Sequence, residues 1–478
     1  MTTEKSAPLW LVVPLTAMAG GMGWGIRGQY GHQTGAMIAG VLVGSVIAFL
    51  MLPRATSLTA ARVIAFFTLG VSVGGSMTYG QTVGLTHDGA LIGNWEALRW
   101  GMLGLFLKGG IWIGLGSVLL GMALSGIRYR PAELALLLLG VLFLSCFGMQ
   151  LLNEPFDPQQ RLLPGLYFSD DWYFEPDGEL TPRREKWGGL LFALVGIAAY
   201  ARFARQDRLA FRLAGWGFFA GGIGFAGGQS IQAWHAWNPD ALSQGWFAAY
   251  APFINWWNTM ETTFGAIFGA ILATGVWLNR HLIDPPPAEE KVADELSPGQ
   301  EVLLLLVHFG VLATWGFILI RALGPLTELA IPMIILPVVA VSAGRYWPYM
   351  FALPMVALQI AGKTLRQMCY ETETVAVVPG WIIFLLVPLA ITLIAAITFA
   401  RWSHRQSARS FSRWYLLLVT WLYFLLNFAF FELPWPWQPW TGRTPHGLVF
   451  AVCVLGLTAG CIFYGRSRSS SQTAPTAE

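Results

Sequence analysis

Apolar runs dominate the chain, and they recur at a length that a lipid bilayer sets. A helix needs about 17 to 25 predominantly apolar residues to cross roughly 30 Å of hydrocarbon, where each backbone polar group must be satisfied within the segment. By that rule the pattern predicts an all-α, polytopic membrane helix bundle with about fourteen transmembrane helices, in a range of about 12 to 14. The runs fall near 9–26, 33–52, 60–80, 95–125, 132–151, 187–204, 209–230, 257–279, 301–323, 325–343, 346–362, 377–400, 412–431 and 447–465. Pro325, Pro332 and Pro337 break the tenth run and the eleventh is short. These two are the ones that would re-enter rather than span.

The polar stretches between the runs divide the chain and orient it. Residues 281–299, with Pro285, Pro286 and Pro287 followed by acids, read as a cytoplasmic linker. It separates a first membrane block, 1–280, from a second of about six helices, 300–465, and 466–478 reads as a disordered cytoplasmic tail. Alternate loops carry the bases: Arg54, Arg128 and Arg130, Arg202, Arg205, Arg208 and Arg212, Arg280 and Lys291, Arg345, then Arg401, Arg405, Arg409 and Arg413. Basic loops stay in the cytoplasm. Both termini are therefore expected inside, in a cell (inner) membrane. The outer loop 152–186, rich in carboxylates and aromatics, is expected outside with 432–445. Ala17 and Ala19 resemble a signal-peptidase site, but cleavage there would cut a motif that recurs downstream, so the first run is read as a retained helix.

Composition agrees with the pattern. Charged residues make up 12% of 478, about half the share in soluble proteins, and the mean hydropathy is +0.55. A net charge of +3, with no basic run interleaved with aromatics, excludes a nucleic-acid partner. The partners are lipid and something small. Cys146, Cys369, Cys453 and Cys461 have neither metal-ligand nor disulfide spacing. No cofactor and no metal site is expected. His32, His87 and His235 are lone histidines at non-matching offsets.

One phrase recurs. Residues 20–29 read GGMGWGIRGQ, 74–81 read GGSMTYGQ and 221–229 read GGIGFAGGQ. The helix after each also repeats, as GAMIAGVL at 35–42, GMLGLFLKGG at 101–110 and GAIFGAIL at 265–272. Small residues four apart let helix backbones approach closely in lipid. The pattern predicts three glycine-rich helix hairpins in one orientation, about 9–52, 60–125 and 209–279, converging on a central pocket open to the outside. Compositional coincidence among 54 glycines is the plainer alternative.

Ionisable residues at membrane depth mark function by default. Near the outer ends of the hairpins these single out Arg27, Gln29, His32, Gln81, Arg99, Lys108, Gln229, Asn258 and Glu261 as solute-binding candidates. Glu96 and Glu261 also have a plainer role as charges at helix starts. Lys108 is placed about 20 Å into its helix and needs a partner there, for which Glu261 is the expected choice. The segment 363–373 reads as an outward loop, and the tryptophans of 234–257 as interfacial belt or a platform for a sugar-like ring.

No catalytic phrase is present. The leading expectation is a transporter of a small polar or anionic solute. The alternative is a membrane-embedded enzyme acting on the outer face, such as a transferase using a lipid-linked donor. Glu96, Glu261 or His32 would be its general base and Arg27 with Arg99 its phosphate clamp. A third reading is an assembly or scaffold protein. A transporter needs a polar path inward, whereas the inner halves of the first four helices offer little besides Thr16, Ser45 and Ser117.

Overall fold

A computed structural model describes residues 7–153, 186–284, 295–317, 331–430 and 439–466, apart from residues 31, 54, 76, 78 and 243. The described chain is all-helical. In order the helices are α1 (Leu9–Tyr30), α2 (His32–Met51), α3 (Ser57–Gly74), α4 (Gly80–His87), α5 (Trp95–Leu124), α6 (Pro131–Asn153), α7 (Trp187–Ala204) and α8 (Arg208–Trp237). Then follow α9 (Trp256–Leu278), α10 (Pro298–Phe317), α11 (Ile331–Ala343), α12 (347–371), α13 (Val377–Arg401), α14 (Ala408–Phe430) and α15 (Thr444–Arg466). Among the described residues nine helices are long and apolar enough to cross a membrane, and three apolar helices are shorter. Outward faces are oily, with Phe143 on α6, Val378 on α13 and Phe463 on α15 at least 70% exposed. Such surface suits lipid, not water.

Polar caps start the long helices where the apolar runs begin. Asn94 accepts from the Glu96 and Ala97 amides at α5, Asp207 from Ala210 at α8, and Asn255 from Asn258 at α9. Each supplies an acceptor for amides that have none within the helix.

Six helices close a ring. Each of α1, α2, α3, α5, α8 and α9 packs on the next, and α9 returns to α1. Neighbours run antiparallel, as the α2–α3 approaches of Gly40 to Thr68 and Gly44 to Ile64 show. Two crossings bring backbone against backbone. A Cβ on Gly20 of α1 would lie 2.2 Å from the Gly265 carbonyl oxygen of α9, and one on Gly221 of α8 would lie 1.9 Å from that of Gly109 on α5. Only glycine admits contacts this close.

The second block wraps the first. Helix α14 packs on α2 and α3, and α15 on α1. Glu301 of α10, buried, accepts from the Arg345, Tyr346 and Trp347 amides at 2.9–3.1 Å and so caps α12 from a different helix. The ends of the described chain share one end of the bundle: Ala7 bonds the Leu50 carbonyl, and Phe49 meets Tyr464 at 5.9 Å. The loop bases gather there too, with Arg128 on Glu295 and Arg205 on Glu133, beside Arg62 near the start of α3, which donates to the carbonyls of Val341 and Gly344.

Two expectations change. The run at 60–80 is not one helix: α3 stops at Gly74 and the chain re-enters helix at Gly80. Residues 363–371 are helix, not loop, continuing α12 through turns of π-helix at 351–355 and 367–371. Of the run at 325–343 the described part, Ile331–Ala343, is helix, and 325–330 lie outside the described residues. The segments 154–185, 285–294, 318–330, 431–438 and 467–478 lie outside the described residues, and with them most of the expected outer loop and the tail.

Candidate functional site

The interruption of the third helix organises the site. Gly75 turns its amide to Ser72 rather than to Val71, four residues back, so the Val71 carbonyl loses its helical partner. Trp112 of α5 takes that carbonyl through its indole Nε1 at 2.6 Å. Trp112 is the eighteenth residue of a 30-residue helix, so the break lies near mid-bundle. Unwound backbone at that depth survives only where protein or water satisfies it.

Arg27, near the end of α1, projects into this gap. Its Nη1 donates to Glu261 Oε1 of α9 at 2.7 Å and to the Tyr79 hydroxyl, and Tyr79 also reaches Glu261 at 3.3 Å. The guanidinium carbon lies 5.4 Å from the ring centres of Tyr79 and Trp112 and 5.8 Å from that of Trp24. Aromatic faces attract a cation, the more so when water is excluded. Arg27 and Glu261 are 5% and 1% exposed, which makes this a fully desolvated ion pair. Gly28 leaves the room that the carboxylate needs, since a Cβ there would fall 1.6 Å from Glu261 Oε2.

One turn of α5 before Trp112, Lys108 is 1% exposed and donates to Thr82 Oγ1 of α4. The expected Lys108–Glu261 pair is not formed; Glu261 is engaged by Arg27. Gln229 of α8 donates to Thr86 Oγ1 at 2.7 Å, and Asn258 of α9 to the Gly25 carbonyl at 2.7 Å. Several buried polar atoms here have no hydrogen-bond partner: Glu261 Oε2, Arg27 Nε, Asn258 Oδ1, Gln229 Oε1 and Thr262 Oγ1. The large majority of buried side-chain polar groups are paired, so each of these calls for a partner. Their free lone pairs and N–H are what a solute or water would use.

The structure therefore brings together Arg27, Lys108, Gln229, Asn258 and Glu261. It leaves Glu96 and Arg99 exposed on the first turns of α5, with Glu96 about 18 Å along the axis from Lys108. The side chains of Gln29, His32 and Gln81 lie outside the described residues. His87 bonds the Val83 carbonyl, and His235 stacks on Trp256 at 4.1 Å.

Sequence reasoning missed Tyr79, Trp24 and Trp112 as site residues. The first two had a signal, being the aromatics of the recurring phrase. With Phe225 of the third phrase they meet in one cluster, Trp24 on Phe264, Tyr79 on Phe225 and Phe225 on Phe264, all within 5.0 Å. Trp112 belongs to no motif. Beneath the charges these rings and Phe268 fill the ring of helices. On the inner side of Arg27 and Glu261 the ring of helices is thus closed by an aromatic floor. A separate apolar cavity of about 360 Å³ opens between the ring and the second block, lined by Met37, Leu69, His308, Met333, Phe351 and Leu389.

Set beside known proteins, the chain matches no family model, no curated protein and no solved structure. The reading of function therefore rests on the site.

Proposed function

We propose that this protein is a membrane transporter of a small anionic solute, bound at the interruption between α3 and α4. The observation that carries the reading is Arg27, a guanidinium only 5% exposed beside the break, whose Nε has no hydrogen-bond partner. Charge-assisted hydrogen bonds from arginine to carboxylate or phosphate are strong, and a solute bringing such a group would satisfy that donor. A discontinuous helix at mid-membrane is also how secondary transporters present backbone and side chains to a substrate.

The finer architecture belongs to the same proposal. The three glycine-rich hairpins are repeats, α1–α2, α3–α5 and α8–α9, supported by the order in which they close the ring and by the meeting of Trp24, Tyr79 and Phe225. With the shorter apolar helices counted, the spans reach about 12 to 14. The end that carries the loop arginines and both ends of the described chain faces the cytoplasm, in line with the positive-inside bias of membrane proteins. The site then lies toward the outer half.

The aromatic floor favours a second reading, an enzyme that works at the outer face and never passes its substrate inward. One assay separates the two: purified protein in liposomes, with entry of radiolabelled phosphate, sulfate and succinate measured against empty vesicles. Entry of at least one anion, lost in Arg27→Ala, is the expected result. Vesicles that bind an anion but admit none of the three refute transport and favour the enzyme.

A further inference from the structure

We infer that transport is coupled to protons, with Glu261 as the proton-carrying group; this rests on the transport reading above. Arg27 has one acidic partner in the described structure, Glu261 Oε1 at 2.7 Å, and the same Nη1 is shared with the Tyr79 hydroxyl. An anion that binds the guanidinium shares the positive charge that otherwise balances Glu261. Glu261, 1% exposed, is then a carboxylate short of its balancing charge in a water-poor site. Such a group is far less costly neutral than charged.

The second oxygen, Oε2, is where the proton goes. It is buried, takes neither of the hydrogen bonds that Arg27 and Tyr79 give to Oε1, and faces the space kept open by Gly28, with the Trp257 indole the other donor near this carboxylate. A proton arriving there forms one O–H bond and breaks none within the protein. The neighbouring acceptor Asn258 Oδ1 is likewise unpartnered. The step balances in charge: the anion enters carrying one negative charge to Arg27, and one proton removes the charge of Glu261. On release the carboxylate gives up the proton and recovers Arg27, which resets the site.

No other group packed around Glu261 is as well placed. Tyr79 and Arg27 face it directly. Lys108 of α5 is on Thr82, and His446 of α15 is bonded to Thr259. His87 of α4 bonds the Val83 carbonyl, with Asp88 3.9 Å away, and its ring is 6.4 Å from Trp257; His235 of α8 stacks on Trp256.

The test uses vesicles holding the intact protein, a pH-sensitive dye inside, and whichever of phosphate, sulfate or succinate enters fastest. Addition of that anion outside should acidify the lumen. An outside-acid gradient should drive accumulation by about tenfold per pH unit if one proton accompanies one net negative charge. Glu261→Gln, which keeps the shape but cannot ionise, should lose the response to the gradient, whatever its rate of anion exchange. Wild-type entry with no acidification and no response to the gradient overturns the coupling and leaves transport standing. A Glu261→Gln protein that still accumulates anion with the gradient overturns the role of Glu261. If no anion enters wild-type vesicles, the transport reading fails and this inference fails with it. Because the acidification is read on the wild type, a variant that does not fold leaves the coupling testable.

Discussion

Two glycines on one helix should respond in opposite directions to the same added methyl group. Gly221 and Gly215 both lie within α8, and alanine improves helix propensity at either by about 1 kcal/mol. At Gly215 a Cβ meets nothing within 4 Å, so that gain stands. At Gly221 the Cβ lands 1.9 Å from the Gly109 carbonyl oxygen, a backbone atom that no rotamer change can move. Restoring ordinary contact at 3.4 Å requires α5 and α8 to part locally by about 1.5 Å. A gap of even 0.5–1 Å forfeits roughly a quarter to a half of each dispersion contact. This is the most extensive helix pairing among the described residues, so the loss is spread over many contacts. Overpacking of this kind costs about 1–3 kcal/mol, occasionally more, enough to outweigh the propensity gain. Heating the detergent-solubilised protein and scoring the folded fraction by size-exclusion chromatography compares the three forms directly. Gly215→Ala should survive to equal or higher temperature than wild type, and Gly221→Ala to lower. Equal behaviour of the two variants would refute the backbone contact and with it the close-packed ring.

Asp207, fully buried, caps α8 and accepts from Ser125 at 2.7 Å and Tyr129 at 2.8 Å, so Asp207→Ala should lower stability by about 3 kcal/mol in chemical unfolding. Burial first, and then the nearby Asp207 charge, push the Tyr129 hydroxyl above its ordinary pKa, so the folded state keeps its proton longer than the unfolded chain. Its contribution is whole below a pH of about 10 and is lost as pH rises beyond, and a stability–pH titration of Tyr129→Phe should show a shallower alkaline fall than wild type. Trp112→Phe keeps a ring beside Arg27 but strands the Val71 carbonyl at the break; it should cost about 2 kcal/mol in the same unfolding assay. A Trp112→Phe protein as stable as wild type would show that the break is satisfied some other way.

What the sequence revealed and what it hid divide along one physical line. Hydropathy reports side chains, and the long apolar helices follow from it because lipid selects side chains residue by residue. A break in backbone hydrogen bonding need not show in the hydropathy of a run: 60–80 reads as one segment, yet Gly75 bonds Ser72 and helix resumes at Gly80. The polar candidates were legible for the same reason as the helices, since Arg27, Lys108 and Glu261 are each costly where they stand. Their pairing was not legible. Matching hairpin positions suggested Lys108 for Glu261, but a ring closes between its first and last members, and α1 meets α9 through Gly20 and Gly265. That closure carries Arg27 to Glu261 across 234 residues of sequence. The glycines were visible as a motif, but their consequence was topological: by letting the first and last helices touch backbone to backbone, they decide which cation the carboxylate finds. Lys108 donates instead to Thr82 of α4, and both cations stand beside the interruption between α3 and α4.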